Sequence, residues 1–463
     1  PTHTFIPLLA ATPDPPDPAP DGDRWAVTVP LRSDVWWSDG EVVDAYDFVF
    51  TFETVKRLGL AGLYNSQWPV ASEDDDTTPG DEFRAGLVTV EAVDASTLRL
   101  TFNLEPGLAV WPFAVGTAPV FPEHHWGELA ASATEAADLY AHSGVGAPHA
   151  GGFVVTDSEP SAFWRNEAET DFWDAGSRYV FYSNGSVEYT PRSSSTAITA
   201  GGEPNGDVVA DFTQGPFVSD VEYSVYTNAT TAILALQRGD VDYVWAPIGL
   251  ERGLVETVLG DPNLDIAVNP TNGFRYLAFN VRRFPMSEPE FRRAIACRVD
   301  KDFMAEKVLS GSAIALDSLV PPGYAFWHNA EAQTPCAGMS EQERFSEAVR
   351  ILRSAGWTWN IEPRWDAENR DVLPAGDGLR SPDGRLVEEL ELLSPGPGYD
   401  PLRATYALFI EEWATELGIP VTAETTGFQT IVSQVFSETA DFDMYILGWG
   451  VTPVPDHVFD FFA

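Results

Sequence analysis

The second half of the chain changes repeatedly between a two-residue and a 3.6-residue apolar period, and that alternation limits the fold more than any other feature. Val221 to Tyr226 reads as a strand, Asn228 opens a helix through Leu236, and Val241 to Val244 reads as a second strand. Tyr276 to Val281 follows as a strand and Glu290 to Val299 as a helix. Ser340 with Glu343 spells a capping box for a helix reaching about Ala355. The best-marked helix has Asp400 as its cap, Pro401 in its first turn and Gly418 just past its end, and it runs into a strand from Ile419 to Glu424. Tyr445 to Leu447 is the last strand. Elements in this order build sheets covered by helices, so the architecture is α/β.

The first half is less regular. Trp25 to Leu31 alternates as a strand, with Pro30 pointing to an edge position. Asp44 can cap a helix whose Phe48, Phe52 and Val55 form one apolar stripe. Val88 to Val93 and Thr97 to Phe102 flank Asp94-Ala95-Ser96 as a hairpin. The Gly-, Ala- and Pro-rich stretch 144–152 suggests a crossing between domains, and 183–215 reads as loop.

A chain of 463 residues exceeds one ordinary domain and can bury a core in each of two or three. It carries 27 basic and 70 acidic residues, with only three lysines (Lys56, Lys301 and Lys307), for a net charge of -43. That field disfavours nucleic acid and anionic lipid, and it describes a strongly hydrated surface. No Walker loop, Gly-x-Gly-x-x-Gly, Gly-x-Ser-x-Gly or His-Glu-x-x-His occurs. The adjacent His124-His125 read as structural, because chain neighbours point apart. Carboxylates are frequent enough to supply a glycosidase pair, and fifteen tryptophans suit sugar stacking, although large aromatics more often fill cores. The two cysteines, Cys297 and Cys336, lack zinc-site spacing; they form one disulfide in an exported protein or stay small buried residues in the cytosol.

Several phrases, in order, resemble the family-five extracellular solute-binding proteins of peptide and nickel importers. They are Pro7 to Ala10, Leu31 to Gly40, Asp44 to Phe50, Trp164-Arg165-Asn166 with Phe172-Trp173, and Ala232 to Asp242. Tyr276 to Asn280, Phe291 to Ile295, Val299-Asp300-Lys301, Glu347 to Trp357, Phe442-Asp443 and Gly448-Trp449 complete the series. The glycines and aspartates among them suit turns and caps, so the phrases mark scaffold rather than a reaction.

The resemblance implies a two-lobed, periplasmic-binding-protein-like fold of type II, in the large peptide-binding class with an extra subdomain. On this expectation residues 1–32 with 151–272 form a partial first lobe, 33–150 an inserted subdomain, and 273–463 the second lobe. It also implies a fragment of a longer family pattern, without an export signal, first strand or closing segment. A monomer that captures a small peptide-like solute and delivers it to ABC permease subunits is expected. Neither catalysis nor a cofactor nor a metal is expected, and the place is the periplasm or the outer face of the membrane, with a lipid anchor on the full-length protein. In that compartment Cys297 and Cys336 are expected to pair. Ligand contacts fall on Trp449, Thr452, Phe153 and Tyr276. Phe153 ends the stretch Pro148 to Phe153, which only partly matches the family's Gly-Pro-Tyr phrase. Thr452 stands where dipeptide and oligopeptide binders carry an aspartate for the ligand's amino group, so an ordinary free peptide loses that ion pair here. A secreted carbohydrate-active enzyme or sugar-binding protein is the alternative, and a sensor domain a third reading.

Overall fold

The computed structural model describes residues 4–12, 16–60, 63–71, 85–246, 249–250, 252–268, 273–309, 313–435, 437, 439–451 and 457–458. The chain forms two compact units that divide between Val225 and Tyr226. The stretch 144–152, expected to cross between domains, lies inside the first unit, where Ser38 and His149 exchange backbone and hydroxyl hydrogen bonds.

In the first unit, β1 (Ala19–Asp21), β2 (Arg24–Pro30), β3 (Leu87–Asp94) and β4 (Thr97–Phe102) form an antiparallel sheet in the order β1-β2-β4-β3. β2 is flanked on both sides, yet Pro30 is its last residue, where a missing N–H costs no ladder bond. Helix α1 (Ala45–Leu58) covers this sheet with Phe48, Phe52 and Val55 buried, and Asp44 caps it in a box with Asp47. The Asp47 carboxylate also accepts from the Trp37 indole and the Glu123 backbone, which ties three segments together; its burial pushes its pKa upward. The short α2 (Leu63–Gln67), α3 (Glu123–Ser132) and α4 (Ala136–Tyr140) complete this part.

Strands β5 (Phe153–Glu159), β6 (Phe163–Ala168) and, further on, β11 (Asp220–Ser224) make a three-stranded sheet in the order β11-β6-β5. Between them, β7 (Arg178–Tyr182), β8 (Val187–Thr190), β9 (Ile198–Ala200) and β10 (Val208–Thr213) form a further sheet in the order β10-β7-β8-β9. The expected loop 183–215 is therefore corrected to three strands. Val187 and Tyr189 supply the buried side of β8, but an alternation of four residues is too short to stand out among the surrounding serines, threonines and glycines. The hydroxyls of Tyr179 and Tyr189 both donate to the buried Asp174 carboxylate, and Arg32 reaches Tyr189 from the neighbouring segment.

The second unit opens with α5 (Ala229–Arg238), capped by Asn228, and α6 (Arg252–Leu259). Val241 to Val244, expected as a strand, has no ladder partner among the described residues and leaves Tyr243 exposed. After β12 (Gly273–Phe279) come α7 (Pro289–Arg298), α8 (Lys301–Phe303) and α9 (Glu341–Ser354), the last with the Ser340 and Glu343 box. The small hairpin β13 (Trp365–Asp366) and β14 (Asp371–Val372) precedes β15 (Leu390–Pro395), α10 (Pro401–Glu416), β16 (Val421–Thr426), α11 (Phe428–Val435) and β17 (Met444–Gly450). The main sheet runs β12-β17-β15-β16, with β15 parallel to both β16 and β17 and β12 antiparallel to β17. Among the described residues no helix is long and apolar enough to cross a membrane.

Cys297, at the end of α7, is disulfide-bonded to Cys336 across 39 residues, with Cα atoms 5.3 Å apart, and both lie in the core shared by α7 and α9. Reduction should lower stability through the unfolded chain's regained freedom. Replacing both cysteines by alanine is expected to cost about 3 to 4 kcal/mol in urea unfolding, and unreduced protein should show no free thiol.

A second expectation concerns acid. The Arg32 guanidinium holds the Asp34 carboxyl at about 2, chiefly by hydrogen bonding. Because the folded value is depressed below the unfolded value of about 3.9, the stabilisation is complete above about pH 4 and disappears as pH falls toward 2. Asp34→Asn should flatten this part of the stability profile by less than about 1 kcal/mol, since the carboxylate is over a third exposed.

Candidate functional site

The path of the chain through β15, α10, β16, α11 and β17 creates one distinctive edge. From β15 the chain crosses to β16 on one side and then returns past β15 to β17 on the other. Right-handed crossovers in opposite directions put their helices on opposite faces. Accordingly, α10 packs with Leu390, Leu392, Met444 and Ile446, whereas α11 packs with Leu393 and Leu447. Beta15 is thus a switch point, and open α/β sheets bind ligands outside the carboxyl ends of strands at such a point.

On the α11 face, strand alternation places Phe274, Tyr276, Tyr445 and Trp449 together. Trp449 is paired with Phe274 and Leu447 with Tyr276. The Tyr276 ring lies 5.8 Å from those of Phe274 and Tyr445. Tyr445 and the Trp449 indole, which can only donate, flank its hydroxyl. Burial, reinforced by the neighbouring Tyr445 hydroxyl, raises the Tyr276 pKa well above the usual phenol range. Trp449 keeps 37% of its surface exposed, so its indole lies between the partly buried tyrosines and solvent.

The other face meets the start of α10. After β15, Gly396 to Tyr399 make a tight turn in which the Asp400 N–H reaches Gly396 O at 3.0 Å. Asp400 is completely buried. One carboxylate oxygen caps α10 by accepting from the Arg403 backbone at 2.9 Å; the other accepts from Arg403 Nε at 2.6 Å and Arg275 Nη2 at 3.5 Å. Arg403 is itself buried, and its Nη1 has no hydrogen-bond partner among the described residues. Arg275 lies opposite Gly448, where a Cβ would stand 3.3 Å from Arg275 Cγ. Glycine there makes room for the guanidinium on its way to Asp400.

The structure therefore joins two of the four expected contacts, Tyr276 and Trp449. Phe153 belongs to the first unit, at the start of β5, where it lines a separate concavity. Thr452 lies outside the described residues. Sequence reasoning did not anticipate Arg275, Arg403 or Tyr445. The available signal was the cap itself: an arginine three residues after a capping aspartate can return to its carboxylate.

The family model for bacterial extracellular solute-binding proteins, family 5 middle, matches residues 4–462, and the chain belongs to that family. It is similar to the oligopeptide-binding protein AppA of Bacillus subtilis, 23% identical over 53% of this chain and 41% of the relative. It is also similar to the periplasmic oligopeptide-binding protein OppA of Salmonella typhimurium, 25% identical over 72% of this chain and 52% of the relative. The chain spans about half the length of the curated relatives it matches. Among solved structures, AppA of Bacillus subtilis in complex with a nonapeptide superposes with a TM-score of 0.62 at 18% identity, covering 97% of this chain and 75% of that one. NikA of Brucella suis in complex with Fe(III)-EDTA gives 0.64 at 18% identity, covering 96% and 71%. The fold is accordingly the type II periplasmic binding fold expected from the sequence.

Whether Trp449 and Tyr276 are coupled can be measured. Trp449→Phe and Tyr276→Phe should each cost about 1 kcal/mol in unfolding, and a double-mutant cycle should return a coupling of about 0.5 to 1.5 kcal/mol. Additive effects would show that the indole and hydroxyl do not interact.

Proposed function

We propose that this protein captures a small peptide or peptide-like solute between two lobes and hands it to the permease subunits of an ABC importer, without chemical turnover. Membership of a solute-binding family supports this reading, as do the oligopeptide-binding relatives. The observation that carries it is the carboxyl edge at β15 and β17. There an exposed indole and two tyrosines occupy one face of the sheet, and the buried Asp400 and Arg403 pair anchors the helix that starts on the other. An apolar shelf with a few oriented polar groups is what a small-molecule site requires. Action outside the cytoplasmic membrane accords with the periplasmic relatives and with the disulfide, and the proposal includes a lipid-anchored monomer.

The test begins with native mass spectrometry of the purified protein to identify what co-purifies, followed by titration calorimetry with that compound. A peptide-like solute should bind one to one, and Trp449→Ala should weaken it at least tenfold, which is about 1.4 kcal/mol. Solution scattering should show a smaller radius of gyration at saturation. Turnover of a glycan panel, or full affinity in the Trp449→Ala protein, would overturn the reading.

A further inference from the structure

The stretch 313–335 precedes α9 and contains one short 3-10 helix, Pro322–Trp327, and no strand. Without a ladder, it is held by side chains. The disulfide between Cys297 and Cys336 closes it into a loop. Lys301 Nζ donates to Asp317 Oδ1 at 2.8 Å and to Thr334 Oγ1 at 3.0 Å, and His328 Nδ1 donates to Val320 O at 2.7 Å. A further tie comes from well over a hundred residues along the chain, beyond the end of β17. His457 Nε2 lies 2.7 Å from Leu319 O, and its Nδ1 lies 3.4 Å from the Tyr324 hydroxyl.

The chemistry of these partners assigns the protons. A carbonyl oxygen can only accept, so Nε2 carries the hydrogen of the imidazole. In the neutral ring Nδ1 then presents a lone pair, and the Tyr324 hydroxyl donates to it. Both side chains are buried. The imidazole also meets two aromatic rings, those of Tyr324 and Phe274, each with centroids 5.7 Å from its own. Phe274 stands opposite Trp449 in the pairing of β12 with β17, and its ring is 5.8 Å from that of Tyr276. His457 therefore holds the disulfide-closed loop by its two nitrogens and meets the aromatic shelf with its ring.

We propose that His457 is a positioning residue for the carboxyl edge: it fastens Phe274, and through it Tyr276 and Trp449, to the disulfide-closed loop, so that the shelf is already formed when a solute arrives. Its value for capture rests on the reading proposed above. A shelf ordered in advance spares the ordering cost that a solute would otherwise meet on binding. Histidine suits the place because it combines a flat ring for packing with a donor and an acceptor on opposite sides. Phenylalanine would fill the space but leave a buried carbonyl and a buried hydroxyl without the imidazole.

The experiment uses the whole chain and needs no solute, so its failure and that of the solute-capture reading are separate events. Long-range nitrogen-15 spectra of the wild-type protein should show the His457 proton on Nε2 and a bare Nδ1. The indole N–H resonance of Trp449, identified by its loss in Trp449→Phe, should shift in His457→Phe and move back toward the wild-type position in His457→Gln, whose amide again offers one donor and one acceptor. The indole resonance of Trp413, in the core beside α10, should stay in place in all of these proteins. If His457→Phe does not fold, Tyr324→Phe, which removes a single hydroxyl, takes its place and should shift Trp449 in the same way. A proton on Nδ1 in the wild-type protein, a Trp449 resonance that does not move in the folded variant, or an equal shift of Trp413, which signals general loosening, would each overturn the proposal.

Discussion

The fully buried carboxylate of Asp400 holds the candidate site together. A carboxylate out of contact with water is tolerable only when its oxygens are occupied by donors and its charge is met. Here it terminates α10, pairs with Arg403 one turn along and receives Arg275 from β12. The joint is valuable for position more than for energy, because buried ion pairs return little net stability while the loss of one partner strands the other. It fixes the start of a sixteen-residue helix against the first strand of the sheet. Gly448 is bound to the same arrangement, since its lack of a side chain opens the path for Arg275, and Trp449 follows it onto the opposite face.

That arrangement explains why one sheet serves two cores. Leu392 and Leu393 are neighbours on β15 and point to opposite faces, one toward α10 and the other toward α11. The crossovers that produce this division also bring the beginnings of both helices to the edge where Trp449 is exposed. Residues far apart in sequence, Tyr276 and Trp449, therefore meet at a place set by crossover handedness rather than by local preference.

The parts of this structure that were legible in the sequence are those governed by local chemistry. Asp44, Asn228, Ser340 with Glu343, and Asp400 with Pro401 each announced a helix start, and each caps one. The failures arose where a distant partner decides. Beta8 and β9 are four and three residues long and exist because β7 and β8 offer them ladders, whereas Val241 to Val244 has the composition of a strand but no neighbour among the described residues. Tyr276 and Trp449 came into one expected set of contacts only through family resemblance, because nothing local relates residues 173 positions apart by their numbering. Arg403 was missed for another reason: surface positions are the usual place for arginine, and its burial depends on a carboxylate that was read only as a cap.

Arg403 is one example of a wider allocation of charge. The chain has 27 basic residues against 70 acidic ones. Even so, Arg32, Arg298, Arg344 and Arg403 are each at least nine-tenths buried by side chain, and each is paired with acids. Arginine suits these positions because its planar fork can engage several acceptors at once and stays charged when desolvated, whereas a buried lysine readily loses its proton. The excess of acids, which gives a net charge of -43, sustains a strongly hydrated surface. It also leaves few cations with which to attract an anionic ligand at long range. Recognition must then depend on close contact, through rings and oriented dipoles, and that is the composition of the edge around Trp449.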